Sequence, residues 1–482
     1  MNVIQTGDFN KFATENPHDG MKAVLEYGLQ LADTKWKPLV DHKDYPDIKH
    51  DWLRATLAWC LENKAREVIS TFGESTTISA LPTFDRFSFG MIRSILPQLV
   101  AVDLVSVQPM AGPTGVVFYL DYKYGTSKGK ITAGQKMFET TNAYYASETI
   151  DEESIGNSGA GQTKAYQGIL SWTPVKAGSI SITTTDASAA TITVTDDGAG
   201  NLKEGSTTVG SISYNSGAYD FEFVTTPGVS KAVNATYRYN LEANANVPEV
   251  DLILQSSSVV AQTTALRTRW SAEAETDMRM VYGLIADAEL SAAVSHELRF
   301  EIDQQITLHI NNIATLASAA PYSYSAWNRR TPTGVSWDSH KKSIIDHIVN
   351  VDSVIYQETN RATGNFIVCG QNVGNIIQTL TSEGFKDEGF VQAKGVYRIG
   401  TLKRWAIYID PAYGVNDFVV GYRGDTTLEA GIMWLPYILL QQTDPITLDD
   451  RVTRKGMSSR YATKTIRSNF YVKSSIVDQA YS

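Results

Sequence analysis

Residues Asp287–Ala314 read DAELSAAVSHELRFEIDQQITLHINNIA, and this stretch decides the fold. Apolar residues recur along it at every fourth position, at Leu290, Val294, Leu298, Ile302 and Ile306. Side chains four residues apart lie on one face of a helix, so these residues are predicted to form the core stripe of one long helix. At 1.5 Å per residue, the 28 residues span about 42 Å. Few compact enzyme domains need a strut of that length.

The chain after this helix alternates between helical and strand patterns. Asp338 is predicted to cap a helix whose apolar face runs from Ile344 to Ile355. Short apolar runs predict strands at residues 365–369, 405–409, 418–422 and 431–440. Helices and strands that are interleaved in this way are typical of an α/β layer.

The chain before the long helix carries a rigid turn between two predicted strands. Residues 107–115 read VQPMAGPTG, and the predicted strands on either side are 99–107 and 116–124. A phosphate-binding loop places Lys and then Ser or Thr after its last glycine, whereas here Val116 follows Gly115. Two prolines and two glycines in nine residues therefore predict a turn that launches a strand.

The composition changes between residues 168 and 241, where Thr, Ser and Gly become frequent. Apolar residues sit two apart there, as in Ile180 and Ile182, which is the period of a strand with one buried face. With turn signals between them, these runs predict a small β-sandwich inserted in the chain. The Asp-Asp-Gly run at 196–198 predicts a hairpin, because the alternating acidic ligands and the closing Glu of a calcium loop are missing. Helix is predicted to return from Leu266.

The whole chain has 482 residues, of which 43% are hydrophobic, and a formal net charge of −10. This composition suffices for packed cores, and an acidic chain does not suit a protein that grips DNA over its whole surface. No run reaches the ~18 apolar residues of a membrane span, and no targeting pattern opens the chain, so we expect a soluble protein made in the cytosol. Cys60 and Cys369 are expected to be buried small hydrophobes, which excludes a disulfide framework.

Residue types used in catalysis and metal binding occur without a recognisable pattern. His340 and His347 would share a helix face, but about 10 Å would separate them, too far for one metal ion. The run GTSKG at 125–129 matches Gly-x-Ser-x-Gly, but no helical pattern follows it, so we predict no nucleophile elbow there. A Ser/His/Asp triad assembled from distant positions stays open. We therefore predict no catalytic, cofactor-binding or metal-binding residue, and no enzymatic activity.

Residues 451–473 hold seven basic residues and no acidic one on a strand-like background. Such a run could neutralise nucleic-acid phosphates. The preferred interpretation is a β-segment whose outward side chains pair with acidic neighbours, in the same chain or in another copy of it.

Four stretches, taken in order, carry a resemblance to a known family. They are GMIR at 90–93 through GPTG at 112–115, AEAETDMR at 272–279 with ADAELS at 286–291, GNFIV at 364–368, and VGYRG at 420–424 with AGIMWLPY at 430–437. Each stretch alone is modest, but the ordered set resembles the major capsid proteins of T-even-type contractile-tailed bacteriophages, a family with the HK97-like fold.

The resemblance implies an α+β, HK97-like phage capsid fold with an inserted small β-sandwich domain. Its expected parts are an N-terminal helical arm at 1–89, the start of a peripheral domain at 90–106, an extended β-arm at 107–275 that contains the inserted domain at 168–242, a spine helix with the rest of the peripheral domain at 276–360, an axial domain at 361–430, and return strands at 431–482. The arm would reach over a neighbouring subunit. Its expected hinge comprises Pro109, Gly112, Pro113, Gly115 and Gly125.

The resemblance also implies a function. The expectation is a major capsid protein that self-assembles into hexameric capsomers of an icosahedral phage head enclosing double-stranded DNA. Its expected partners are further copies and the vertex, portal, scaffold and decoration proteins, with no cofactor, no membrane and no specific DNA recognition. It would be assembled in the bacterial host cytoplasm and be found in the virion. The alternatives are a pentameric vertex protein of the same family, an encapsulin-type compartment shell, and a carbohydrate-binding enzyme.

Two processing features of such shells are not expected here. Relatives lose an N-terminal segment to a protease that cuts after Leu or Ile, any residue and then Glu. The nearest candidate site, between Glu74 and Ser75, has Phe72 in the first place, so residues 1–75 are expected to persist. Some shells are locked by a Lys–Asn isopeptide bond, and no such pair is identified.

Overall fold

The computed structural model describes residues 17–43, 45, 47–48, 50–72, 83–137, 144–244, 246–317, 324–388, 395–424, 429–443, 445–447 and 452–479. The chain divides into two compact units. Unit 1 comprises Met1–Tyr119 and Gln255–Ser482, and unit 2 comprises Leu120–Leu254. Helices and strands both occur in unit 1, whereas unit 2 is built mainly of strands, so the predicted α+β class is confirmed.

The described α-helices lie in unit 1. They are α1 (Pro17–Asp33), α2 (Lys37–Val40), α3 (Asp51–Phe72), α4 (Thr83–Ile95), α5 (Ala101–Leu104), α6 (Ala272–Asp277), α7 (Ala286–Ile313), α8 (Trp337–Thr359) and α9 (Gln371–Gln378). The long helix predicted at 287–314 is confirmed as α7. Its first turn carries Asp287 and Glu289, whose charges complement the positive end of the helix dipole.

The strands run through both units. They are β1 (Ser106–Val107), β2 (Thr114–Tyr124), β3 (Thr149–Asn157), β4 (Ala165–Ile169), β5 (Ser181–Thr185), β6 (Thr191–Asp196), β7 (Asn201–Glu204), β8 (Thr207–Ile212), β9 (Ala218–Glu222), β10 (Ala232–Arg238), β11 (Val250–Val260), β12 (Gln262–Ser271), β13 (Thr315–Leu316), β14 (Ala326–Asn328), β15 (Phe366–Cys369), β16 (Phe385–Asp387), β17 (Tyr397–Leu402), β18 (Trp405–Ile409), β19 (Asp417–Gly421), β20 (Ile432–Gln442), β21 (Ile446–Thr447), β22 (Val452–Thr465) and β23 (Tyr471–Val477).

Two sheets are formed by the described residues of unit 1. The first has the strand order β1-β20-β22-β12, with β21 also paired to β22. The second has the order β13-β23-β19-β15-β18-β17-β16, with β14 paired to β23. One core joins Leu298 and Ile302 of α7 to Trp434 and Met457 of the first sheet. A second core joins α8 and α9 to the second sheet.

Unit 2 has a core of its own, which is formed mainly by side chains of an eight-stranded sheet. The strand order of this sheet is β3-β10-β5-β6-β7-β8-β9-β4. The sheet begins at Thr149, ahead of the change in composition at residue 168. The hairpin predicted at 196–198 is confirmed, because it joins β6 to β7. Asp197 Oδ1 accepts hydrogen bonds from the amides of Ala199 at 2.9 Å and Asn201 at 3.1 Å, so the carboxylate holds its own turn closed.

Two predicted elements are wrong. The strand predicted at 99–107 is confirmed only at Ser106 and Val107, which form β1. Residues 101–104 are helix α5 instead, because Asp303 of α7 accepts a hydrogen bond from the Ala101 amide at 2.9 Å and caps its first turn. The helix predicted from Leu266 begins only at α6. The residues before it form β12, whose alternating Leu266 and Trp270 face the core while the strand pairs with β22.

The predicted cap of α8 is also wrong. The N-cap is Ser336, whose Oγ accepts a hydrogen bond from the Ser339 amide at 3.3 Å. Asp338 lies inside the first turn, where it pairs with Lys341 at 2.7 Å.

Candidate assembly surfaces

The turn at 107–115 is anchored to the first sheet by its backbone. The amides of Gln108 and Met110 donate to the carbonyls of Trp434 and Pro436, each at 3.0 Å. Asn63 Nδ2 donates to the Met110 carbonyl at 2.8 Å. These bonds fix the point at which β2 leaves the sheet.

The residues predicted as a hinge lie at the two ends of the pairing between β2 and β11. In unit 1, Pro109 stands between the anchored Gln108 and Met110. A Cβ built on Gly112 would lie 3.8 Å from the Thr114 carbonyl oxygen, an ordinary contact, whereas a Cβ built on Gly115 would lie 3.1 Å from the methyl of Met110. Pro113 accepts a hydrogen bond from the Ala261 amide at 2.8 Å. In unit 2, the Gly125 amide donates to the Glu249 carbonyl at 2.9 Å. Their role as a hinge stays a prediction.

The hydrogen bonds that join Ala261 to Pro113 and Gly125 to Glu249 lie at the two ends of the strand pair and fit one antiparallel register. In this register Leu120 lies opposite Leu254, and Tyr122 lies opposite Leu252. All four side chains lie in unit 2 on the same face of the strand pair. Tyr122 is 37% exposed, Leu252 is 61% exposed and Leu254 is 36% exposed. We call this group, together with Val250, the ribbon face. A two-stranded pair with partly exposed apolar side chains on one face is marginal in water, so the ribbon face is a candidate contact surface.

The predicted core stripe of α7 divides in the structure. Leu298, Ile302 and Ile306 are buried, whereas Leu290 and Val294 are half-buried. The stripe therefore reaches the core along the second half of the helix.

Polar groups under α7 tie the helix to distant parts of unit 1. Burial raises the pKa of Asp303 to about 7, against the hydrogen bond from Ala101, which favours the ionised form. One turn further, Thr307 Oγ1 donates to the buried Asp410 at 2.5 Å. At the start of the helix, the buried ammonium of Lys455 lies 2.6 Å from Asp287. These contacts fix both the position and the rotation of α7.

Unit 2 contains a buried amine. The Lys128 ammonium donates to the carbonyls of Tyr144 at 3.4 Å, Tyr145 at 2.8 Å and Ser147, and lies 5.5 Å from the centre of the Trp172 ring. Burial lowers the pKa of Lys128 to about 8. The contacts of Lys128 fix the end of the segment between β2 and β3, so the charge of this side chain has a structural role.

The residues singled out for chemistry occupy separate structural positions. His340 Nε2 lies 2.8 Å from the Asn328 carbonyl, and His347 Nε2 lies 2.8 Å from Ser474 Oγ. Cys60 and Cys369 are buried, and burial raises each pKa to about 12. The structure brings none of these four together. Glu74 and Ser75 lie outside the described residues.

Within the part of the chain that the structure describes, no group of three or more His, Cys, Asp or Glu side chains could hold a metal ion. The helices described there are too short or too polar to cross a membrane.

Two features of unit 1 were missed in the sequence. One is a group of exposed apolar side chains at 280–285, which the sequence signals only by the short run MVYGLI. The other is a set of arginines on one face of the first sheet, which includes Arg454 and Arg460 of the basic run. Arg267 and Arg269 come next to them only because β12 pairs with β22, and the spacing of residues in the sequence does not reveal that pairing.

Comparison with known proteins assigns the chain to a family. The profile of the family described as "Major capsid protein Gp23" matches residues 82–481. The major capsid protein of Enterobacteria phage T4 is 25% identical over 461 residues, covering 84% of this chain and 85% of that protein. That of Vibrio phage KVP40 is 26% identical over 393 residues, covering 77% of this chain and 74% of that protein.

Similarity to solved structures is lower. The capsid of Myoviridae phage XM1 has a TM-score of 0.33 and 10% identity over 50% of this chain and 81% of that one. The capsid of cyanophage P-SCSP1u has a TM-score of 0.32 and 10% identity over 50% of this chain and 80% of that one. The family profile carries the assignment: the chain belongs to the Gp23 major capsid protein family.

Proposed function

We propose that copies of this chain assemble into hexameric capsomers of an icosahedral phage head around double-stranded DNA. Family membership supports a shell subunit, and the observation that carries the proposal is the ribbon face. Leu252 and Leu254 present apolar surface on a strand pair, and neither belongs to the core of unit 2 that the described residues form. A neighbouring copy that packs against this face would stabilise the pair and the shell together.

The proposed parts follow the ranges expected from the sequence. Residues 107–275 would form an arm over a neighbouring subunit, with the inserted domain on the outer surface of the shell. Residues 276–360 would form the peripheral domain around α7, and residues 361–430 the axial domain at the centre of a capsomer. The role is structural rather than catalytic. Vertex, portal, scaffold and decoration proteins would be its partners in the virion.

The test is electron microscopy of the expressed chain, with Leu252→Ser/Leu254→Ser as the variant. We expect the unaltered chain to form hexamers and closed or sheet-like assemblies, and the variant to lose them while it keeps its thermal midpoint. Leu241→Ser, at another exposed apolar side chain of unit 2, is the matched control. Unaltered chains that stay single compact particles under all assembly conditions would refute the proposal. In virions, copy number separates this role from that of a vertex pentamer, and a protein cargo would indicate a compartment shell instead.

A further inference from the structure

The segment Ala272–Ile285 of unit 1 is ordered by its own hydrogen bonds. Ser271 Oγ accepts from the Ala274 amide at 3.2 Å and so caps α6. The helix then widens into a π-helical turn at Met278–Tyr282, which Gly283 ends with a left-handed backbone at φ 67°. The amides of Gly283 and Leu284 close the turn on the carbonyls of Arg279 and Met278, at 3.2 and 3.3 Å. π-Helical turns of this kind occur frequently at functional sites.

This ordered turn exposes a continuous set of apolar side chains. Met280 is 80% exposed, Val281 is 70% exposed, Tyr282 is 73% exposed, and Leu284 and Ile285 are also exposed. Together they present on the order of several hundred Å² of apolar surface, which is the size that marks an interaction site on a soluble chain. We call these five residues the apolar turn.

Carboxylates stand next to the apolar turn, on α6. Glu275 is engaged, because it accepts from the Trp270 indole at 3.2 Å and pairs with Arg279 at 3.3 Å. Glu273 and Asp277 are exposed and form no ion pair with any residue that the structure describes. The apolar turn therefore has a negatively charged rim.

The first sheet of unit 1 carries a surface of opposite charge. In the pairing of β12 with β22, Arg269 stands directly across from Arg454, and Thr263 across from Arg460. Arg267 lies two residues from Arg269 on the same face, turned away from the face on which Lys455 meets α7. We call these four arginines the arginine face. Like charges directly across a strand pair are destabilising, and Arg267 and Arg269 form no ion pair within the described chain.

We propose that the apolar turn of one copy docks on the arginine face of a second copy, with Glu273 and Asp277 pairing with Arg267 and Arg269. The inference rests on the proposed self-assembly. Two different surfaces meet in such a contact, so it is heterologous and can close into a ring. Tyr and Met at the centre with charges at the rim is the ordinary composition of a protein interface. An acidic rim repels phosphates, so nucleic acid does not fit the apolar turn.

The first test identifies the neighbour of the apolar turn directly. A photo-crosslinking phenylalanine analogue replaces Tyr282, and ¹⁴N-labelled copies that carry it are co-assembled with ¹⁵N-labelled unaltered copies. Mass spectrometry of the crosslinked peptides is expected to join residue 282 of a light copy to β12 or β22 of a heavy copy. Crosslinks confined to the same copy, or joining residue 282 to other surfaces, would overturn the proposal.

The second test reverses the charges at the rim. Arg267→Glu/Arg269→Glu is expected to lower the assembled fraction by roughly tenfold or more, the effect of losing one strong contact. Adding Glu273→Arg/Asp277→Arg to the same chain is expected to restore assembly. The matched control is Glu152→Arg/Asp220→Arg, at exposed carboxylates of unit 2, which is not expected to rescue.

The outcomes separate this contact from the wider proposal. If unaltered copies assemble and the arginine reversal has no effect, the docking contact is wrong and self-assembly stands. If unaltered copies never assemble, the proposed function itself fails. If the reversed chain assembles normally but its particles hold less DNA, the arginine face serves nucleic acid and the docking contact is again wrong.

Discussion

Asp303 shows how one buried side chain links distant parts of unit 1. It lies on α7 and caps α5, about 200 residues earlier in the chain, with its carboxylate 2.9 Å from the Ala101 amide. Its pKa is raised from 3.8 to about 7, and burial is the largest cause. The hydrogen bonds from the amides of Ala101 and Val100 and the charge of Arg299 act against burial, whereas the charge of Asp410 acts with it. The folded protein therefore holds a proton here at pH values where the unfolded chain has released it.

We predict that Asp303 makes folding stability fall as the pH rises from about 4 to about 7. Between these values the folded state binds the proton more tightly than the unfolded state, so the stabilisation is complete below 3.8 and is lost through 7. Asp303→Asn keeps an oxygen acceptor for the Ala101 amide without the titration. Thermal midpoints between pH 4 and 8 should therefore change less in this variant. Asp346→Asn on the exposed side of α8 is the control, and parallel profiles for unaltered chain and Asp303→Asn would contradict the assignment.

The stripe of α7 predicts unequal costs for two similar truncations. Ile302 is 1% exposed, so Ile302→Ala leaves a cavity and should lower the free energy of unfolding by about 2–5 kcal/mol. Leu290 is half-buried, so Leu290→Ala should cost about 1 kcal/mol or less, the loss of partly exposed apolar area. Denaturant unfolding of unassembled chains gives both values. Equal losses would mean that Leu290 and Ile302 contribute equally to the free energy of unfolding, which would contradict the difference in their burial.

At the scale of the element, helix ends are decided by single hydrogen bonds. Ser336 rather than Asp338 caps α8, since its hydroxyl accepts the Ser339 amide. Ser336→Ala should lower the free energy of unfolding by about 1 kcal/mol. Asp338→Ala removes only an exposed pair with Lys341 and should have a smaller effect. A larger loss for Asp338→Ala in the same unfolding measurement would restore the original assignment of the cap.

Elements with a long internal pattern could be predicted from the sequence. In helix α7 an apolar residue recurs at every fourth position from Leu290 to Ile306, and the hairpin at 196–198 has its own turn chemistry in Asp197. Elements fixed by partners could not. Helix α5 depends on a carboxylate contributed by α7, and β12 depends on its register with β22. The arginine face could not be predicted for the same reason, because Arg269 and Arg454 are neighbours only once that register is formed.

At the scale of the whole molecule, each unit has a core of its own. The core of unit 2 draws on residues between Ile150 and Tyr239, and the two main cores of unit 1 draw on residues outside 120–254. The units also differ in charge. Unit 2 holds fifteen acidic and nine basic residues and so carries −6 of the net −10 in 135 residues. Separate cores and separate charge are typical of domains that fold independently.

We predict that unit 1 folds without unit 2 when the chain is rejoined in register. The two end bonds of β2 and β11 place Tyr119 directly across from Gln255, in a hydrogen-bonded pair of the same kind as Gly125 and Glu249. A two-residue Asn-Gly turn closes such a pair with the twist that antiparallel strands require. Replacing Leu120–Leu254 by Asn-Gly should therefore leave one cooperative thermal transition for unit 1, within a few degrees of its midpoint in the full chain.

A one-residue shift provides the control for this deletion. Joining Tyr119 to Ser256 through the same Asn-Gly turn moves every side chain of β11 to the opposite face, which would expose Val259 and bury Ser258. The shifted chain should unfold at a lower temperature than the chain joined in register. If both chains unfold alike, the register inferred for β2 and β11 is wrong. If neither folds, unit 1 needs unit 2 for its stability, and the two cores are not independent.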